Sequence, residues 1–162
     1  MYKNILVAID GSSTSNLALH EALRIAKDGS RVKAITIVEN PLAGYGTPLI
    51  SYNYENIHEV CLNESKHVLK TAEIDAKNLG HIQLETQLID LGQQSEQDIA
   101  TEILHAAKAY QADLILIGRH GKKNGVKRFF MGSVAERVIR QSLTPVMIIS
   151  SLSNTTHLDK GA

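Results

Sequence analysis

A chain of 162 residues with 43% apolar residues, 21% charged residues and a formal net charge of zero has the makings of one folded domain. The even charge balance removes any global electrostatic case for a nucleic-acid or membrane partner and leaves only local patches to argue from. Cys61 is the only cysteine, which excludes an internal disulfide, and no apolar run approaches the roughly 20 residues that cross a bilayer. Met1–Asn4 leads straight into a strand-like run instead of a secretory leader, so the expectation is a cytoplasmic protein.

Ile5–Ile9 is a branched apolar run that stops at Asp10-Gly11, the pattern of a buried strand and its turn. Ser12–Ser15 offer hydroxyl caps, and Leu19, Ala22, Leu23 and Ala26 then fall on one helical face that ends near Lys27 and Gly29. Val32–Val38 reads as a second strand. Asn40–Tyr54 carries Pro41, Gly44, Gly46 and Pro48 and reads as a long loop. A helix is expected from about Glu55 to Leu79, with Cys61, Ser65, Val68, Ala72 and Leu79 near one face and Gly80 as its stop. Ile82, Leu84, Thr86 and Leu88 alternate as a third strand. After a turn at Gly92–Gln94, Ser95 with Asp98 has capping-box spacing for a helix bearing Ile99, Ile103, Ala106 and Tyr110. Asp113–Gly118 is a fourth strand. Ser133 with Glu136 is a second capping-box spacing, and Pro145–Ile149 is the fifth strand. The domain is expected to span residues 1–150, with 151–162 a polar tail.

Strands alternating with helices imply an α/β fold, an open five-stranded parallel sheet with helices on both faces. The runs Ile5–Ile9 and Leu114–Ile117 lack alternation, as strands buried on both faces do. The order 3-2-1-4-5 reverses its winding between strands 1 and 4. Ligands of such sheets bind outside the strand C-termini at that switch point, which would bring Asp10 and Gly118 together.

The segment Gly118–Ser133 runs from a strand end to a helix start. It contains Gly118, Gly121, Gly125 and Gly132 beside Arg119, Lys122, Lys123, Lys127 and Arg128, with no acidic residue between Asp113 and Glu136. Glycines let backbone amides approach a ligand, and a helix N-terminus offers unpaired N–H groups to a phosphate. The competing readings are a tight turn, a plain helix cap and a solvated basic surface. Neither G-x-x-x-x-G-K-[ST] nor G-x-G-x-x-G occurs, which disfavours a P-loop enzyme and a nicotinamide dehydrogenase.

Gly118-x2-Gly121-x10-Gly132-Ser133 resembles the glycine signature of the ATP-binding subgroup of the universal stress protein family, usually G-x2-G-x9-G-[ST]. Asp10-Gly11-Ser12, Asp113–Gly121, Gly132–Val138 and Thr144-Pro145-Val146 are similar to the family's pattern as well. The likeness covers about residues 1–150. The second glycine spacing is one residue longer than usual, and Gly125 is placed to absorb it.

The resemblance implies an adenine nucleotide alpha hydrolase-like fold that holds ATP as a regulatory ligand in a stress response. By it, Ala8 and Asp10 would contact the adenosine, and Val38 would meet the adenine through its backbone. Gly118, Arg119, His120, Gly121 and Lys122 would line ribose and phosphates, and Gly132, Ser133 and Val134 would hold the phosphates. Mg²⁺ would be carried by the phosphates, since the loop has no acidic residue. It also implies a homodimer through the last strand and a downstream protein partner whose identity the chain does not spell out.

Two rivals stand beside this reading: a slow ATPase, and a nucleotide-independent dimeric interaction module of the same fold. The S-G-G-x-[DS]-S loop of adenylating relatives is absent after strand 1, and no carboxylate base is evident beside the glycine segment. The histidines show no zinc-ligand spacing, Ser133 is not in a G-x-S-x-G elbow, and Cys61 reads as a packing residue. Phe129 and Phe130 read as loop anchors, not as a base-stacking platform, so no nucleic-acid partner is expected.

Overall fold

The computed structural model describes residues 1–39, 54–80, 84–92, 98–120 and 131–151. The elements run β1 (Asn4–Ala8), α1 (Ser13–Ile25), β2 (Arg31–Val38), α2 (Tyr54–Asn78), β3 (Leu84–Asp90), α3 (Ile99–Tyr110), β4 (Leu114–Gly118), α4 (Ser133–Gln141) and β5 (Val146–Ile149). The five strands form one sheet in the order β3-β2-β1-β4-β5, and every neighbouring pair is parallel. The loop expected over 40–53, the Ser95 cap, Ile82 and the tail from 152 lie outside the described residues.

The unalternating strands are explained by two cores. Ile5 and Val7 of β1 and Leu114 and Leu116 of β4 pack under α1 and α2 against Leu19, Leu23, Leu69 and Ala72. Leu6, Ile115 and Ile117 point the other way, under α3 and α4, against Ile103, Ala107 and Val138. Each strand residue is therefore taken out of water by one layer or the other, at about 1.5–3 kcal/mol per large apolar side chain. The edge strand β3 keeps the expected alternation, with Glu85 and Gln87 exposed between half-buried Leu84, Thr86 and Leu88.

Three local expectations are corrected. Asp98, not Ser95, is the N-cap of α3, and its carboxylate accepts from the Thr101 N–H at 3.1 Å. The box at Ser133 and Glu136 does not form. Gly132 takes the extended cap conformation and accepts the Glu136 N–H at 3.0 Å, which moves Ser133 one place into the helix. Glu136 is thereby freed to pair with Arg140 at 2.7 Å, one turn on. Leu79 is exposed, because α2 ends at Asn78 and Gly80 turns the chain at φ +74°, and Leu69 and Ala76 do the packing instead.

Candidate functional site

At the C-terminal edge of the sheet, where β1 and β4 part, lies a cavity of about 550 Å³, a size that suits a small organic ligand. Its floor is Ala8, Asp10, Ile117 and Gly118, from the ends of the two central strands. The turn after β1 is tightly built. Asp10 accepts the Ser12 N–H at 2.9 Å, its own N–H donates to the Ser15 hydroxyl at 3.2 Å, and Gly11 sits at φ +78°. Ser12 caps α1.

The exit of β4 is welded to this turn. The His120 carbonyl accepts from the hydroxyls of Thr14 and Ser12. Gly118 is pressed so closely against α1 that an added Cβ would stand 2.7 Å from Thr14 Oγ1 and 2.8 Å from the Ser15 nitrogen. The sequence reading credited Gly118 with room for a ligand, but the room is taken by the first turn of α1. Arg119 donates its N–H to the Ile149 carbonyl at 2.7 Å and accepts the Gly132 N–H at 2.9 Å, so β5, β4 and the start of α4 meet at one residue.

α4 opens onto the cavity through Gly132, Ser133, Val134 and Ala135. α1 and α3 are closed by Ser12 and Asp98, whereas the N-cap of α4 is a glycine with no side chain to give. The amides of its first turn have no intrahelical acceptor, and they carry the positive end of the helix dipole.

On the β2 side, backbone alternation assigns the edges. Ile35 accepts the Ile9 N–H at 2.9 Å, so its peptide groups face β1. Val38 accepts the Leu91 N–H at 2.9 Å, so its groups face the chain beyond β3. Ile37, two residues beyond Ile35, therefore turns its N–H and C=O to the side where β1 has ended, and it lines the cavity.

The structure brings Ala8, Asp10, Val38, Gly118, Arg119 and His120 around this one cavity, together with Gly132, Ser133 and Val134. Gly121 and Lys122, with the rest of 121–130, lie outside the described residues. The sequence reading missed a wall. Cys61, Glu64, Ser65 and Val68 of α2 line the cavity, as does Glu39 at the end of β2. Asp10, Glu39 and Glu64 thus put carboxylates around a space where the sequence offered no evident base. The signal was available: 61, 64, 65 and 68 share one face of a helix. At 25 residues α2 is about 38 Å long, against about 26 Å for the eight residues of β2, so its first turns overhang the sheet. Among the described residues no group of three or more His, Cys, Asp or Glu is placed to hold a metal ion, and no helix is long and apolar enough to cross a membrane.

Fold and cavity together define a parallel α/β sandwich with a ligand-sized cleft at its topological switch point. The sequence pattern described as the universal stress protein family matches residues 1–150, and the chain belongs to that family. Universal stress protein MJ0531 of Methanocaldococcus jannaschii is 34% identical over 151 residues, spanning 92% of this chain and 82% of that protein. The crystal structure of a family member from Burkholderia pseudomallei aligns with a TM-score of 0.71 at 29% identity, over 93% of this chain and 97% of that one. A universal stress protein from Archaeoglobus fulgidus in complex with dAMP shares the fold, with a TM-score of 0.62 at 24% identity over 91% of this chain and 98% of that one.

Proposed function

We propose that this chain binds ATP in the switch-point cavity and acts as a nucleotide-dependent regulatory module in a stress response. The observation that carries the reading is the first turn of α4, which lines the cavity with no side-chain cap at its start. The base lies against the outward peptide edge of Ile37, the ribose near Asp10 and Gly118, and the phosphates on Ser133 and Val134. By the glycine signature, Gly121 and Lys122 are also assigned to the phosphates. Binding of dAMP by the A. fulgidus relative supports the adenine class of ligand. Mg²⁺ rides on the phosphates, so a chelator weakens ATP binding without abolishing it. The domain is 1–150 with 151–162 as its tail, it works in the cytoplasm, and it pairs with a second copy along β5.

Native mass spectrometry of the full chain with and without ATP tests the binding. A complex with one ATP per chain is expected, and no mass shift at millimolar ATP would end the nucleotide reading. A turnover assay on the same sample separates receptor from slow ATPase, a distinction that the carboxylates of Asp10, Glu39 and Glu64 make worth measuring.

A further inference from the structure

Beside the main cavity, a smaller compartment of about 170 Å³ lies between the N-terminal ends of α3 and α4. The two spaces share Glu39, Ile99, Ser133 and Val134 as lining, so they adjoin along the start of α4. Arg137 lines only the smaller one, and among the described residues it is the one cation in that compartment's lining. It stands one helical turn beyond Ser133 on the same face of α4, about 6 Å along the axis. Two further phosphoryl groups in a chain cover that distance. The Arg137 guanidinium is half exposed and is held by Asp98 Oδ2 at 2.6 Å, while the same carboxylate caps α3 through Thr101. A planar guanidinium suits a phosphate as well as it suits a carboxylate.

We propose that this compartment is the subsite for the terminal phosphate of a nucleoside polyphosphate, with Arg137 as its cation and Asp98 as the carboxylate that competes for it. The inference rests on the nucleotide reading above and adds a discrimination to it. A monophosphate ends at Ser133 and does not reach Arg137, whereas a triphosphate does.

Calorimetric titration of the full chain with ATP and with AMP, on wild type, Arg137→Gln and Asp98→Asn, tests it. The ratio of ATP to AMP affinity should fall about tenfold in Arg137→Gln, as for loss of one charge-assisted contact at a half-exposed site. It should rise in Asp98→Asn, where the amide keeps the α3 cap but loosens its hold on Arg137. A ratio unchanged in both variants, or lowered in both, overturns the subsite. If wild type binds both nucleotides with equal affinity, the subsite falls and the nucleotide reading stands. If wild type binds neither, both fall. Should Arg137→Gln lose its cooperative thermal melt, the ratio in Asp98→Asn decides alone.

Discussion

The Gly132 N–H donates a 2.9 Å hydrogen bond to the Arg119 carbonyl, joining the exit of β4 to the entry of α4. Gly132 therefore spends its own amide on the scaffold, and the amides left for a ligand begin at Ser133. Gly132 itself has φ −65° and ψ 147°, a conformation open to any residue, so a side chain there strains no backbone. Gly132→Val should fold with a normal melt and lose ATP binding, because Gly132 lines the cavity and any side chain there competes with the ligand for its space. Ser133→Ala should be milder, costing about 0.5–2 kcal/mol of binding for one hydroxyl contact. Isotherms and melts on the same samples decide, and normal ATP affinity in a folded Gly132→Val would reduce the glycine segment to a turn.

Gly118→Ala should behave in the opposite way. The added methyl would meet Thr14 and the Ser15 backbone at under 3 Å, and helix backbone does not move aside cheaply. Urea unfolding should show a loss of about 1–3 kcal/mol, as for other overpacked cores. Unchanged stability would mean that α1 rides on β4 more loosely than the contacts indicate.

The pairing proposed along β5 would rest on outward peptide groups, because the strand's side chains serve the two cores. Met147 and Ile149 are packed against the α1 core, so lysine at either would disturb the fold as well as the edge. The carbonyls of Pro145 and Ile149 are bonded to β4, which leaves the N–H groups of Val146 and Ile148 on the open side. Ile148→Pro removes one outward donor and spares the β4 ladder, at the cost of the Ile148 packing against the α3–α4 core, so a melt must accompany it. Sedimentation should then show monomers with native circular dichroism, and an undiminished dimer would move the interface off β5.

Asp98 gives the fold an acid-sensitive cap. Burial works against its charged form, but the Thr101 N–H, the Arg137 charge, the Thr101 hydroxyl and the Ala100 N–H outweigh that and hold the carboxyl below the usual 3.8. A depressed carboxyl stabilises the fold above its unfolded pKa, and that contribution is lost as pH falls through the native one. Asp98→Ala should therefore cost about 1 kcal/mol at neutral pH, and the gap from wild type should close in denaturant curves taken below about pH 3.8. A gap that persists at pH 2 would assign the cost to packing.

Sheet order was legible in the sequence because it rests on bulk signals. Two apolar runs without alternation mark the central strands, and helix-forming stretches between all five strands force parallel crossovers. Cap register was not legible, since Ser133-x-x-Glu136 satisfies the capping pattern one residue away from where Gly132 places the helix start. The α2 wall was legible only by joining two signals, the shared face of residues 61, 64, 65 and 68 and the greater length of the helix, because an overhang is a comparison of two segments and not a property of either. Val38 and Ile37 are alike in sequence, and only the bonds at Ile35 and Val38 decide which of them turns its backbone to the cavity.

The contact between Gly118 and the first turn of α1 changes what a glycine string can tell a reader of other chains. A residue kept small by helix docking is a marker of architecture. It would persist in a sequence whose cleft holds nothing, provided α1 still seats on β4. Gly132, which lines the cavity in a backbone conformation that any residue can adopt, has no such structural alibi. In a chain scanned for this signature, the first glycine testifies to how the domain is assembled, and the one before the serine to whether there is a ligand to make room for.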